Sequence, residues 1–135
     1  MCLTCSKTLS DDDRVNYAAS IFSFDFSFRL EPVVFAFAER LSRDYTGGLW
    51  EFYALSNGGF YMAPAAGAFH VTCENSFEGE LSAEALGIVA CLYAYSHLSF
   101  GDQGSLPEAC AAQYQLLREH ALDHAEARSI LAAID

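Results

Sequence analysis

The pair Asn57-Gly58 lies between two apolar runs, residues 49–55 and 60–63. Both residue types accept positive φ, so the pair marks a tight reversal and the runs read as strands of a hairpin. A two-residue turn sets Leu55 opposite Phe60 and Tyr53 opposite Met62. One face then carries Tyr53, Leu55, Phe60 and Met62, with Glu51 at its edge, and the other carries Trp50, Phe52, Ala54 and Tyr61. Neither face is polar. Such a hairpin must be covered on both sides or keep one side for a partner, which excludes a one-layer sheet open to water.

Periodicity places the remaining elements. Ser10, with Asp13 three residues on and acids in the first turn, predicts a helix over residues 11–20. Phe22, Phe24, Phe26 and Phe28 then alternate with Ser23, Asp25 and Ser27, which predicts an extended segment, or irregular chain whose phenylalanines plug the core. From Glu31 the spacing of Val34, Phe37, Ala38 and Leu41 is helical, with Pro32 in the first turn and an end near Tyr45. Phe69, Val71 and Cys73 alternate with His70 and Thr72, which predicts a third antiparallel strand, and residues 74–79 then turn the chain. Ser82 caps a long helix, stapled by Leu81 and Leu86 and buried along Ala85, Ile88, Val89, Leu92 and Tyr95. Ser105 with Glu108 and Asp123 with Glu126 suggest two more helix starts, after breaks at residues 101–104 and near His120. The expected fold is α+β: a small antiparallel β-meander of about three strands, packed by about four to five helices. Residues 1–9 read as a flexible leader and residues 10–135 as a single domain.

Composition excludes several classes of function. At 53% hydrophobic residues the chain can bury a core and is not a disordered segment. Eighteen acidic residues against seven Lys and Arg give a net charge of −11, which would repel a phosphate backbone, so direct nucleic-acid binding is not expected. The longest uncharged run, residues 52–73, is broken by Asn57-Gly58-Gly59 and Pro64 and cannot be one membrane-spanning helix. No apolar signal segment precedes Asp11-Asp12-Asp13. An odd count of five cysteines, in a chain long enough to need no staples, suggests reduced thiols and a cytoplasmic location.

Candidate chemistry is sparse. Cys2-Leu3-Thr4-Cys5 is a CxxC without the second pair that a zinc site needs. His120 and His124 have helical ligand spacing, but Ala121 stands where zinc peptidases carry glutamate, and Asp123 looks like a cap between the two. Cys91 and His97 would lie about 120° apart on one helix, so they cannot face each other. A dyad from distant segments, such as Cys110 with His70, stays open. The double glycines lack the spacing of a phosphate-binding loop. No metal and no cofactor is expected. The acids at residues 11–13 and at Glu78, Glu80 and Glu84 could imitate DNA, but a net −11 matches only roughly 19 Å of duplex axis, about six base pairs. Solvated helix starts explain most of these acids equally well.

The string Tyr45-Thr46-Gly47-Gly48-Leu49-Trp50-Glu51-Phe52-Tyr53, followed by Leu55-Ser56-Asn57-Gly58-Gly59-Phe60-Tyr61-Met62-Ala63-Pro64, resembles the ArdB/KlcA family of antirestriction proteins. Similar too are Leu81-Ser82-Ala83-Glu84-Ala85, the stretch from Gly87-Ile88 through Cys91-Leu92 to Tyr95-Ser96-His97, and the tail with Tyr114, Leu117, Arg118, Ala121 and Ile134-Asp135. The likeness spans residues 30–135. It implies a compact α+β protein of plasmids and other mobile DNA that protects incoming DNA from host type I restriction–modification systems, with no catalytic residue to carry over. The expected function is therefore non-enzymatic inhibition through contact with the host restriction–modification machinery or an associated protein. The candidate surface is Glu78, Glu80 and Glu84, with Glu51 and Asn57 from the hairpin, on a monomer or weak homodimer. The alternatives are a small thiol-dependent hydrolase, using Cys91 or Cys110 with a distant histidine, and a metabolite-binding module using the aromatic hairpin face.

Overall fold

A computed structural model describes residues 6–101 and 104–135 of the chain. The CxxC of residues 2–5 lies outside the described residues. Helix α1 (Asp11–Phe22) starts on Ser10, whose hydroxyl accepts from Asp13 N at 3.2 Å. The alternating phenylalanine segment is not extended. After a turn at Ser23 it winds as a π-helical stretch, Phe26–Leu30, that runs directly into α2 (Glu31–Leu41). Pro32 supplies a reason: it has no N–H, and its ring displaces the carbonyl four residues back, so the coil ahead of it widens. Glu31 N accordingly donates five residues back, to Phe26 O. Phe22, Phe26, Leu30, Val34 and Ala38 form one buried stripe with a spacing of four, whereas Phe24 and Phe28 face water. Helix α2 stops at Leu41 rather than near Tyr45, because Ser42 leaves the helix and its hydroxyl accepts from Asp44 N.

Three antiparallel strands follow the order β1 (Ser6–Thr8), β2 (Trp50–Leu55), β3 (Phe60–Pro64). Residues 6–8, expected in a flexible leader, are thus an edge strand, and Leu9 N continues the ladder by donating to Phe52 O at 2.8 Å. The hairpin register is one residue away from the expectation: Phe52 opposes Met62, Tyr53 opposes Tyr61 and Ala54 opposes Phe60. The loop holds three residues, with Gly58 N donating to Leu55 O and Gly58 at φ 91°, the geometry of a type I turn closed by a glycine bulge. One slip flips every side chain. Phe60 and Met62 therefore share a face with Trp50 and Phe52, while Tyr61 and Ala63 share the other with Tyr53 and Glu51. Phe26 covers the first face, edge-on to Phe52 and Phe60, and His120 stacks on Tyr61 across the second. Every residue of β3 is buried.

The third strand does not extend this sheet. β4 (Ala68–Thr72) pairs instead with β5 (Glu78–Ser82) as a separate two-stranded ladder, so a single meander gives way to two small sheets. Residues 78–79, expected in a turn, are strand; the reversal is the tighter stretch in which Cys73 N donates to Phe77 O and Asn75 Oδ1 takes Phe77 N. Helix α3 (Ala83–Ser99) is buried on nearly every side and is packed by α2, α4 (Leu106–Leu122) and α5 (Ala127–Ile134). Gly87 lets it approach β3: a Cβ there would lie 2.3 Å from Ala63 Cβ and 2.5 Å from Met62 O. Helices α4 and α5 start without a side-chain hydrogen bond from their first flanking residues, Ser105 and Glu126. Asp123, expected to cap the last helix, ends α4 instead, and the Glu126 carboxylate accepts from Ser82 N at the start of α3. No described helix is long and apolar enough to cross a membrane.

Candidate functional site

Alternation along β4 and β5 turns Phe69, Val71 and Leu81 inward and leaves His70, Glu78 and Glu80 outside. Glu80 stands opposite His70 in the ladder, and Glu78 Oε2 lies 2.8 Å from His70 Nε2, with both side chains more than half exposed. A pair so open to water adds little to stability. It does fix two carboxylates and an imidazole on one face of a rigid ladder.

Glu84 is differently placed. It sits in the first turn of α3, where Ser82 Oγ accepts from Ala85 N, and its Oε1 lies 2.7 Å from His124 Nε2. His124 Nδ1 accepts from Glu126 N at 2.9 Å, so a neutral ring carries its proton on Nε2 and donates it to Glu84. The Glu126 carboxylate in turn accepts from Ser82 N at 3.0 Å and from the Ser82 hydroxyl. This network ties the start of α3 to the link between α4 and α5. Burial, reinforced by the charge of Glu84, pushes the Tyr61 and Tyr53 hydroxyls up; Glu51 adds to the effect on Tyr53. Glu51 and Glu84 thus act on the same tyrosine, on the covered face of the three-stranded sheet, while Glu78 and Glu80 belong to the outer face of the other sheet.

Asn57 is an internal tie. Its Nδ2 donates to Leu116 O at 3.0 Å and its Oδ1 takes Gly59 N at 2.9 Å. Tyr17, Gln113 and Tyr95 donate to the carbonyls of Gly59, Gly58 and Phe60 beside it. Four side chains from three helices or the turn itself therefore hold the hairpin tip, which a turn signal alone could not disclose.

The three described thiols, Cys73, Cys91 and Cys110, are not poised for nucleophilic work. Burial pushes Cys91 and Cys110 up to about 12 each and raises Cys73 as well, whereas a reactive thiolate needs a depressed value. His70 is held by Glu78 on an outer strand face, and Cys110 is buried on α4. His97 and Cys73 do line one cleft, of about 330 Å³, beside Tyr93 and the Arg40–Glu74 pair. Among the described residues no three His, Cys, Asp or Glu side chains converge as metal ligands. His120 and His124 stand on either side of the end of α4, with ring centres 6.2 Å apart.

The family model described as "Antirestriction protein" matches residues 43–135. Antirestriction protein KlcA of Escherichia coli is 42% identical over 132 residues, covering 94% of this chain and 90% of its own. YafX, an uncharacterized protein of Escherichia coli K12, is 43% identical over 110 residues, covering 78% of this chain and 70% of its own. A solved structure superposes with a TM-score of 0.88 at 38% identity, over 98% of this chain and 95% of that one. It comes from work on KlcA and ArdB that describes a novel fold and antirestriction activity against type I DNA restriction systems in vivo but not in vitro. Sequence, family model and backbone agree: the chain belongs to the ArdB/KlcA family of antirestriction proteins.

Proposed function

We propose that this chain relieves type I restriction in the cell through protein contacts, without making or breaking a bond. The observation that carries this reading is the shared backbone, nearly end to end, with proteins active against type I systems in vivo. Their lack of activity in vitro favours a mechanism that needs a further cellular component, and host restriction–modification machinery or a protein associated with it is the proposed partner. Cys91 and Cys110 support contact over catalysis, since burial holds them protonated. A net charge of −11 disfavours direct binding to DNA.

Glu78 and Glu80 are the proposed contact residues, being exposed and fixed on a rigid ladder. Glu84 and Glu51 add negative potential from α3 and β2, and Asn57 contributes by holding the hairpin tip. Plating of unmodified phage on a type I restricting strain tests the function: expression of the chain should raise plating efficiency. Unchanged restriction, with the protein present and folded, would overturn the reading. Combined substitution of Glu78, Glu80 and Glu84 by Gln should weaken protection; full protection would remove the acidic surface from the mechanism.

A further inference from the structure

Helix α1 and the π-helical stretch do not close on each other. An open groove of about 490 Å³ runs between them, walled by Ala18 and Ala19 and reaching Phe26 and Phe52. Three large apolar side chains stand in water on its lining: Phe24 is 87% exposed, Phe28 80% and Val15 66%. The backbone presenting them is unusual, with non-glycine Ser23 at φ 55° beside the π-helical winding. Such conformations persist where the surrounding structure holds them, and they gather at functional sites.

The charges around the groove select its occupant. Asp11 and Asp12 lie one helical turn before Val15, and Glu31 lines the groove itself. Arg14 lines the groove beside Glu31, but its guanidinium is already engaged and mostly covered. It donates to Trp50 O at 2.8 Å, lies 4.0 Å over the Phe52 ring and pairs at 3.4 Å with Asp11, which stays 97% exposed. Arg29 is paired with Asp25. A second copy would bring the same acids together on a chain of net −11, so charge opposes a homodimer through this face. We propose that the groove docks an amphipathic basic segment of a partner protein, its apolar stripe seated against Phe24, Phe28 and Val15 and its Lys or Arg residues facing Asp11, Asp12 and Glu31. The proposal goes beyond the antirestriction reading and is tested by binding alone.

The probe is a fluorescein-labelled synthetic helix of Leu and Lys with one apolar face, followed by anisotropy at physiological salt. The folded full chain should bind it saturably, one to one. A Phe24→Ala/Phe28→Ala variant keeps the net charge and loses only exposed rings, so its melting temperature should hold while affinity falls by about tenfold or more. Phe100→Ala, which removes an equally exposed ring outside the groove, should bind as the parent does. Asp11→Asn/Asp12→Asn should weaken binding and flatten its salt dependence. Equal affinity of the parent and the double phenylalanine variant would overturn the proposal, since general charge attraction would then suffice. Concentration-dependent dimerisation abolished by the same two substitutions would also overturn it, assigning the groove to a second copy.

Discussion

Cys91 Sγ lies 3.5 Å from Met62 N and 3.6 Å from Met62 O, on the side of β3 that faces away from β2. It answers both backbone groups of a residue that the ladder leaves unpaired, and Tyr95 OH does the same for Phe60 O at 2.6 Å. Helix α3 thereby closes the outer edge of the sheet. Cys91→Ala strands the Met62 groups and leaves a small void, so stability should fall by about 1–3 kcal/mol in urea unfolding. Protection of phage DNA should persist at a temperature where the variant is folded. A folded variant without protection would restore the thiol to the mechanism.

Gly87→Ala should be the more damaging change at the same interface. Its Cβ would meet backbone, at 2.5 Å from Ala63 Cα and from Met62 O, so no side-chain rotation relieves it. Helix propensity favours alanine by about 1 kcal/mol, which the clash exceeds. We expect a net loss of roughly 2 kcal/mol or more by denaturant titration. A gain in stability would show that α3 can slide along β3.

Alkaline pH should unfold the protein early. In the unfolded chain the thiols of Cys91 and Cys110 release protons near pH 9 and the Tyr93 hydroxyl near 10; in the folded chain, burial first of all holds each up to about 12. Between these limits the unfolded state binds fewer protons, so stability is full below pH 9 and is lost as pH rises toward 12. The urea midpoint should therefore drop from pH 8 to pH 10.5. A flat midpoint over that window would contradict the burial of these groups.

Asn75 anchors the C-terminal helix. Its Nδ2 donates to Ala132 O and Ala133 O, its Oδ1 takes Phe77 N, and Tyr93 OH donates to Ala133 O nearby. Asn75→Ala should cost about 1–2 kcal/mol and speed amide exchange in α5 ahead of α3. Uniform exchange across both helices would show that α5 is held by its apolar face alone.

What the residues disclosed, and what they did not, divides along physical lines. Capping of α1 and α3 by Ser10 and Ser82 is local chemistry, and both caps form as the sequence suggests. The hairpin was legible, but its register was not: Asn57-Gly58 suits a two-residue turn, yet the side-chain bond to Leu116 O comes from distant chain and accompanies a three-residue loop. The phenylalanines at residues 22–28 satisfy a period of two and of four equally, and only continuation through Leu30, Val34 and Ala38 selects the helical one. Glu126 matched a local cap, but its carboxylate holds Ser82 instead, 44 residues away in sequence. Of the acidic residues expected on one edge, Glu78 and Glu80 stand on β5 while Glu84 opens α3 and is held by His124, a contact 40 residues away in sequence that no short motif records.

With α3 laid along β3, and three exposed residues including Lys7 forming the described part of β1, the larger sheet offers no long template for another chain to knit onto among the described residues. A protein more than half hydrophobic thereby keeps its most deeply buried strand, β3, out of reach of edge-to-edge stacking.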